Sequence, residues 1–385
     1  MSKKHKFSIT EARRIALTAQ GLTEEFPFGK GLKGTLKTIE HLGYIQIDTI
    51  SVVERAHHHV LWSRVPDYTP SLLHDLQQKK LVFEYWSHAA AYLPTRDYRF
   101  SLPRKLAFAS GQRHWFARNR RIMKYVLDKI TVEGPLMSKD FDAAHDRKSG
   151  PWFDWKPSKI ALEQLFMEGT LMVRERRGFQ KVYDLKDRVL PTSVDQTPPT
   201  QDEYARYLIE TALRSHGIVT ELEIRYLRKG IQIQIRKVLK EMAASGEICE
   251  AVVEGIEDQK FYVFSKNIES SSQARNIKKN IHILSPFDNL IIQRKRLKSL
   301  FEFDYLIECY VPDKKRKYGY FCLPLLYGDK LIGRLDAKAD RKKKTLIIQS
   351  MNFEPTFKPT SLFKSVMQSE LKKFSRFNGC ELLKT

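Results

Sequence analysis

The chain has 385 residues and carries 67 Lys+Arg against 45 Asp+Glu, a formal net charge of +22 at pH 7. A hydrophobic fraction of 42% with 11% aromatics excludes a wholly disordered chain, and the length exceeds one typical core. Apolar runs such as 320–327 fall far short of the ~20 residues a membrane helix needs, and the scattered Cys249, Cys309, Cys322 and Cys380 disfavour a disulfide scaffold or a Cys-rich zinc site.

Lys3, Lys4 and Lys6 open onto polar, helix-like sequence instead of an apolar leader, so a cytoplasmic, reducing location is expected. Along the chain one pattern recurs: an amphipathic helix, a glycine, then an apolar strand. A helix over 8–20 precedes the first copy, 35–45, in which Gly43 separates the helix from Tyr44 and Ile45. A helix over roughly 112–127 precedes the second copy, 160–171 with Gly169, which runs on through Val173 to Val182 and Tyr183 around the loop Arg176-Arg177-Gly178. Thr197-Pro198-Pro199-Thr200 then breaks the chain, and Thr200 can cap a helix over 201–215. The third copy, 238–248 with Gly246, continues as strands 251–253 and 261–264 around the loop 254–259. In each copy the glycine supplies a left-handed residue that ends the helix, and helix, glycine and β-hairpin is how a winged helix ends.

A polar linker is expected at 267–272, followed by short strands at 306–311, 318–326, 331–335 and 346–348, a turn at 327–330 and a helix near 361–374. The expected fold class is α+β: three tandem winged-helix (helix-turn-helix) motifs at 1–115, 116–195 and 196–272, and a basic, barrel-like β-rich domain at 273–385. Residues 278–385 hold 23 Lys+Arg and 11 Asp+Glu, a net of +12 of the total +22. Two runs, Lys314-Lys315-Arg316-Lys317 and Arg341-Lys342-Lys343-Lys344, each interrupt apolar strand-like sequence and read as basic loop tips able to grip phosphates. The partner expected from this charge is a polyanion.

After Gly43 the chain reads Tyr44-Ile45-Gln46-Ile47-Asp48-Thr49. If this is extended, Ile45 and Ile47 face the core while Gln46 and Asp48 share the opposite face, ~7 Å apart, where an amide and a carboxylate can address one water from two sides. The same alternation is also what any half-exposed strand shows. His57, His58 and His59 follow one another and point in different directions, so they form no preformed metal triad; no metal and no cofactor are expected.

Gln46-Ile47-Asp48-Thr49-Ile50-Ser51-Val52-Val53-Glu54-Arg55-Ala56-His57-His58, with Leu61-Trp62-Ser63-Arg64 behind it, resembles the AlkZ/YcaQ family of winged-helix bacterial DNA glycosylases. The resemblance continues in Glu84-Tyr85-Trp86-Ser87-His88-Ala89-Ala90-Ala91-Tyr92-Leu93-Pro94, in Leu284-Ser285-Pro286-Phe287-Asp288-Asn289-Leu290-Ile291, in Tyr318-Gly319-Tyr320, and in the stretch from Gly333 to Arg341. It thus spans almost the whole chain. His59 and the Gln293-Arg294 stretch depart from the pattern without touching the motif.

The resemblance implies three tandem winged helices with a C-terminal β-barrel, and a catalytic Gln-apolar-Gln or Gln-apolar-Asp motif. Gln46-Ile47-Asp48 has the Asp form, similar to the YcaQ branch. The implied activity is excision of N7-alkylated guanine and other cationic alkylpurines from double-stranded DNA, including unhooking of interstrand crosslinks. Asp48 would polarise the water and stabilise the oxocarbenium sugar, and Gln46 would hold that water. No Lys lies between Gln46 and Arg64 to form a Schiff base, which favours a monofunctional enzyme. A crosslinked base cannot be flipped freely, so an open basic surface is expected. Arg55, His57, His58, Arg64, Trp86 and His88 are expected to line it, with Lys314, Lys315, Arg316, Arg334, Lys338 and Arg341 reaching the DNA backbone. A monomer with no membrane partner, nucleoid-associated while on DNA, is expected. The rival reading is a non-enzymatic tandem winged-helix regulator; a two-metal nuclease is disfavoured because no carboxylate cluster is evident.

Overall fold

Ser8 caps the first helix of the computed structural model, which describes residues 5–24, 26–112, 114–141, 155–271 and 277–384. Its hydroxyl accepts from the Glu11 amide at 3.3 Å while the Glu11 carboxylate takes the Ser8 amide at 2.8 Å, a reciprocal capping box that starts the helix Ile9–Ala19. Contacts divide the chain into two units, Met1–Pro70 with Gln201–Thr385, and Ser71–Thr200. One division falls inside the expected segment 1–115 and the other beside Thr200.

In the first unit, helix Gly31–Leu42 ends at Gly43, whose φ of +81° lies in the left-handed region and whose missing Cβ leaves room for the Thr211 methyl. Thr211 sits on helix Gln201–His216, so this glycine serves both the helix stop and a close helix approach. Helix Gln232–Ala244 is followed by the hairpin Ile248–Val253 and Phe261–Phe264. Strand Ile218–Thr220 joins one side of that hairpin and His5–Phe7 pairs in parallel on the other, giving a four-stranded sheet.

The second sheet of this unit has five strands in the order Ile281–Ile283, Cys322–Tyr327, Lys330–Asp340, Thr345–Phe353 and Leu382–Lys384. All pairs are antiparallel except the last, and register shifts at Leu325/Leu326 and Asp336/Ala337 bend it. The sheet stays open, a half-barrel. Phe363, Met367, Leu371 and Phe374 of helix Ser361–Phe377 fill its concave side against Ile283, Leu323, Leu335 and Leu346.

Three expectations for this unit change. The linker at 267–272 is helical over Lys266–Ser271, and residue 272 lies outside the described residues. The strand expected at 306–311 is a 3-10 turn, Glu308–Tyr310, because the Glu308 carboxylate gathers the amides of Lys317, Tyr318 and Gly319 in place of a ladder. The run at 314–317 therefore lies on an irregular loop, whereas the run at 341–344 is the tip of the hairpin between Lys330–Asp340 and Thr345–Phe353.

The second unit holds the hairpin Val82–Trp86 and Ala90–Pro94 and a sheet ordered Leu136–Met137, Gln180–Leu185, Leu171–Arg177. Its helices include Leu102–Ala109, Arg120–Glu133 and Pro157–Met167. The helix expected from 112 starts only at Arg120, where the Asn119 side chain accepts from the Ile122 amide. Glu84 is buried and takes Arg176 in a two-point ion pair at 2.7 and 2.8 Å. Lys105 is buried too, its ammonium 3.8 Å from the Tyr98 ring centroid, and burial pushes its pKa well below the ordinary lysine value. Among the described residues no helix is long and apolar enough to cross a membrane.

The first unit is knotted together at Arg64, whose side chain is fully buried. Its guanidinium donates to both oxygens of Asp288 at 2.7 and 2.9 Å, to the Gln20 backbone carbonyl at 2.8 Å, to the Gln20 side-chain oxygen at 3.0 Å, and to the Val60 carbonyl at 3.1 Å. Asp288 in turn takes the Leu290 amide, and Gln20 passes the network to the Ser215 carbonyl at 2.6 Å. Removing one partner strands a buried charge, so Arg64→Met is expected to lose ~3–5 kcal/mol in chemical denaturation and to regain part when Asp288→Asn is added. A single variant within ~1 kcal/mol of wild type would contradict this role.

Candidate active site

The segment that carries Gln46 and Asp48 is held by its backbone at close intervals. Before it, Arg214 donates to the His41 carbonyl at 3.1 Å and Asn289 to the Tyr44 carbonyl at 3.2 Å. After it, Arg341 donates to the carbonyls of Ser51 (2.9 Å) and Val53 (3.0 Å), the Ala339 amide to Val52 (2.9 Å), and the Glu54 amide to the Asn378 side chain (2.6 Å). Helix Ala56–Trp62 then begins, and His59 on it donates to the Ile283 carbonyl at 2.8 Å. The Ser285–Asn289 turn thus supports the segment twice, Asp288 through Arg64 and Asn289 directly.

Only Ile45–Gln46 is strand, so the expected extended run to Asp48 is shorter than the alternation suggested. Gln46 is 8% exposed, as buried as Ile47 beside it, and does not sit on a solvent face. Asp48 is half-buried and its Oδ1 accepts from the Ile50 amide at 2.7 Å, an Asx turn that aims the carboxylate. Burial raises the Asp48 pKa above the ordinary carboxylate value, and the Ile50 hydrogen bond pulls it back only in part. A carboxylate in this state is a better base than a solvated one and keeps one oxygen available beyond the turn.

Several residues expected to meet DNA have other work. Arg64 is consumed in the buried network, so it reaches no phosphate. Arg334 is buried as well, paired with Glu354 at 2.9 Å, donating to the Asp304 carbonyl, and stacked 3.9 Å from the Tyr318 ring centroid. Arg316 caps the carbonyls of Glu308 and Val311, and Arg341 secures the Gln46–Asp48 segment. His57 is buried. His58 hydrogen-bonds the Tyr68 hydroxyl at 2.8 Å, and burial followed by the neighbouring Arg55 charge lowers its pKa to about 4, so at neutral pH it brings no positive charge. Arg55 is half-buried at the start of helix Ala56–Trp62. Lys314, Lys315 and Lys338 are exposed. Trp86 and His88 belong to the second unit, where both are half-buried and Arg104 lies 5.4 Å from the Trp86 ring. Among the described residues no group of three or more His, Cys, Asp or Glu is placed to hold a metal ion.

Two neighbours of Asp48 escape a reading of the sequence. Cys309 and Tyr310 both feel its charge: partial loss of solvent first, and then Asp48, raise the Cys309 thiol and the largely exposed Tyr310 phenol above their ordinary pKa values. Their turn is anchored by Glu308, which lies 260 positions from Asp48 in the chain and gives no local signal; burial works against its charge, but three backbone amides and Arg334 outweigh it and lower its pKa.

With this geometry in view, a family model described as DNA glycosylase AlkZ-like matches residues 39–377. Among solved structures the Streptomyces sahachiroi DNA glycosylase AlkZ is similar at a TM-score of 0.66 and 15% identity, covering 98% of this chain and 99% of that one. At that identity the likeness is one of fold.

Because Asp48 titrates higher folded than unfolded, its ionisation costs stability: the folded protein holds the proton longer, and stability falls as pH rises from the unfolded pKa through the folded one. Asp48→Asn keeps an acceptor for Ile50 and has no charge to bury, so its stability relative to wild type is expected to grow with pH across that window. A difference in urea unfolding free energy that stays constant with pH would contradict the burial account.

Proposed function

Since the chain belongs to the AlkZ-like DNA glycosylase family, we propose that it excises N7-alkylated guanine and other cationic alkylpurines from double-stranded DNA and unhooks interstrand crosslinks. The observation that carries this reading is the half-buried Asp48, of raised pKa, on a segment fixed by its backbone beside buried Gln46.

An N7-alkylguanine is already cationic and leaves without a strong general acid. What remains is to support positive charge on the sugar and to deliver water to C1′. Water adds to C1′ as the C1′–N9 bond breaks; the electron pair of that bond neutralises the purine, and the proton of the water passes to Asp48 and on to solvent. A carboxylate ~4 Å from the developing cation contributes about 4 kcal/mol at an effective dielectric of ~20. That is roughly a thousandfold in rate. Gln46 orients the water, neutral itself and therefore cheap to bury. The enzyme is monofunctional in this reading, since the chemistry needs no amine.

The three helix–glycine–strand repeats act as winged helices on the duplex, joined by the basic half-barrel. Its exposed lysines, Lys314, Lys315 and Lys338 with the tip Lys342-Lys343-Lys344, meet phosphates in a manner indifferent to base sequence, as scattered lesions require. The protein works as a monomer on the nucleoid, in the cytoplasm.

Incubating the protein with a duplex containing N7-methylguanine in EDTA tests the reading. Free N7-methylguanine with an abasic strand is the expected product. Strand scission that needs Mg²⁺ would point to a nuclease, and binding without either product to a regulator; each would overturn the proposal.

A further inference from the structure

The stretch following helix Arg294–Phe301 buries every second residue, Phe301, Phe303 and Tyr305, and then leaves the core. Beyond Tyr305 two large side chains face solvent: Leu306 is 65% exposed and Tyr310 is 74% exposed.

The loop that offers them is well anchored. Glu308, buried between the two, takes the amides of Lys317, Tyr318 and Gly319 at 2.8, 2.7 and 3.0 Å. Arg316 closes the other side on the carbonyls of Glu308 (3.2 Å) and Val311 (3.0 Å) and lies 4.9 Å from the Tyr320 ring centroid. Tyr310 is thus presented by a fixed backbone, and its ring loses little freedom on contact. Lys314, Lys315 and Lys317 beside it are exposed, so the surroundings suit a polyanion.

The loop also shares a hydrophobic core with the segment that carries Asp48. Ile307 and Cys309 pack on the same hydrophobic core as Ile50 and Val52, which directly follow Asp48. The Asp48 charge is felt at both Cys309 and Tyr310.

We infer that Tyr310 is the base-stacking residue of this site: its ring covers one face of the cationic alkylpurine in duplex DNA while Asp48 addresses the sugar. This rests on the excision reading above. A tyrosine ring face attracts a cation, and every base offers a face to stack on, so one residue favours the charged lesion over a neutral base without reading sequence. When the C1′–N9 bond breaks, its electron pair neutralises the purine, and the attraction to the ring weakens as the product forms. Tyr310 therefore acts on substrate binding more than on the bond-breaking step.

Single-turnover release of N7-methylguanine at increasing enzyme concentration separates the two effects. Tyr310→Ala is expected to raise the half-saturating enzyme concentration about 10- to 100-fold, the span for removing one aromatic–base stack. The rate at saturation should stay within about threefold, and Tyr310→Phe should behave like wild type throughout. As the side chain is exposed, both variants should unfold at the wild-type temperature. An active wild type with Tyr310→Ala saturating within about twofold of it would overturn the inference alone. So would a loss that Tyr310→Phe shares. A wild type that releases no base would overturn the excision reading and this inference with it.

Discussion

A single buried ion pair organises the larger unit. Arg64 and Asp288 are 224 residues apart in the chain and meet without any solvent exposure. Taking both charges out of water is expensive, and the pair is tolerable because every donor and acceptor is used: Asp288 receives two guanidinium bonds and the Leu290 amide, and Arg64 also serves Gln20, Val60 and Ser63. What such a pair adds over a hydrophobic contact is uniqueness of geometry. It fixes the end of helix Ile9–Ala19, the end of helix Ala56–Trp62 and the Ser285–Asn289 turn to one another, and Asn289 on that turn holds the Tyr44 carbonyl two residues before Gln46. The position of the Gln46–Asp48 pair is therefore set by backbone restraints that originate in the core.

The charge balance looks different once its members are sorted by where they sit. A net of +22 suggests a surface of interchangeable cations, but several arginines, some buried and some at the surface, are tied into the framework through carbonyls and carboxylates. Arg296 serves the carbonyls of His216 and Ile218 and the Glu223 carboxylate, Arg334 bridges Glu354 and Asp304, and Arg316 and Arg341 close loops through backbone carbonyls. A planar guanidinium with five donors suits this role, since it can satisfy several carbonyl groups at once and stays charged when buried. The lysines of 314–317 and 342–344, by contrast, stay in solvent.

This division also explains how far the sequence could be read. Elements specified by local chemistry were legible: the helices stopped by Gly43, Gly169 and Gly246, and the hairpin of Phe261–Phe264, whose alternation and turn are contained in a few residues. The Gln46–Asp48 motif could be located, but the burial of Gln46 could not, because alternation alone assigns one face to solvent. The stretch 301–308 alternates like a strand, and only the distant amides collected by Glu308 turn it into a loop. Arg64 and Arg334 look like any basic residue until Asp288 arrives from far along the chain and Glu354 from the end of the neighbouring strand. Tyr310 carries no signal of its own; its proximity to Asp48 is a product of the tertiary fold.

The proposed excision depends on the Asp48 carboxylate supporting the cleavage step. The most direct measurement is the saturating single-turnover rate of N7-methylguanine release by Asp48→Asn, with duplex affinity followed in parallel. Removing one charge while keeping shape and the Ile50 hydrogen bond predicts a rate lower by roughly a thousandfold with affinity close to wild type. A rate equal to wild type would show that the cleavage is carried elsewhere and would contradict the account.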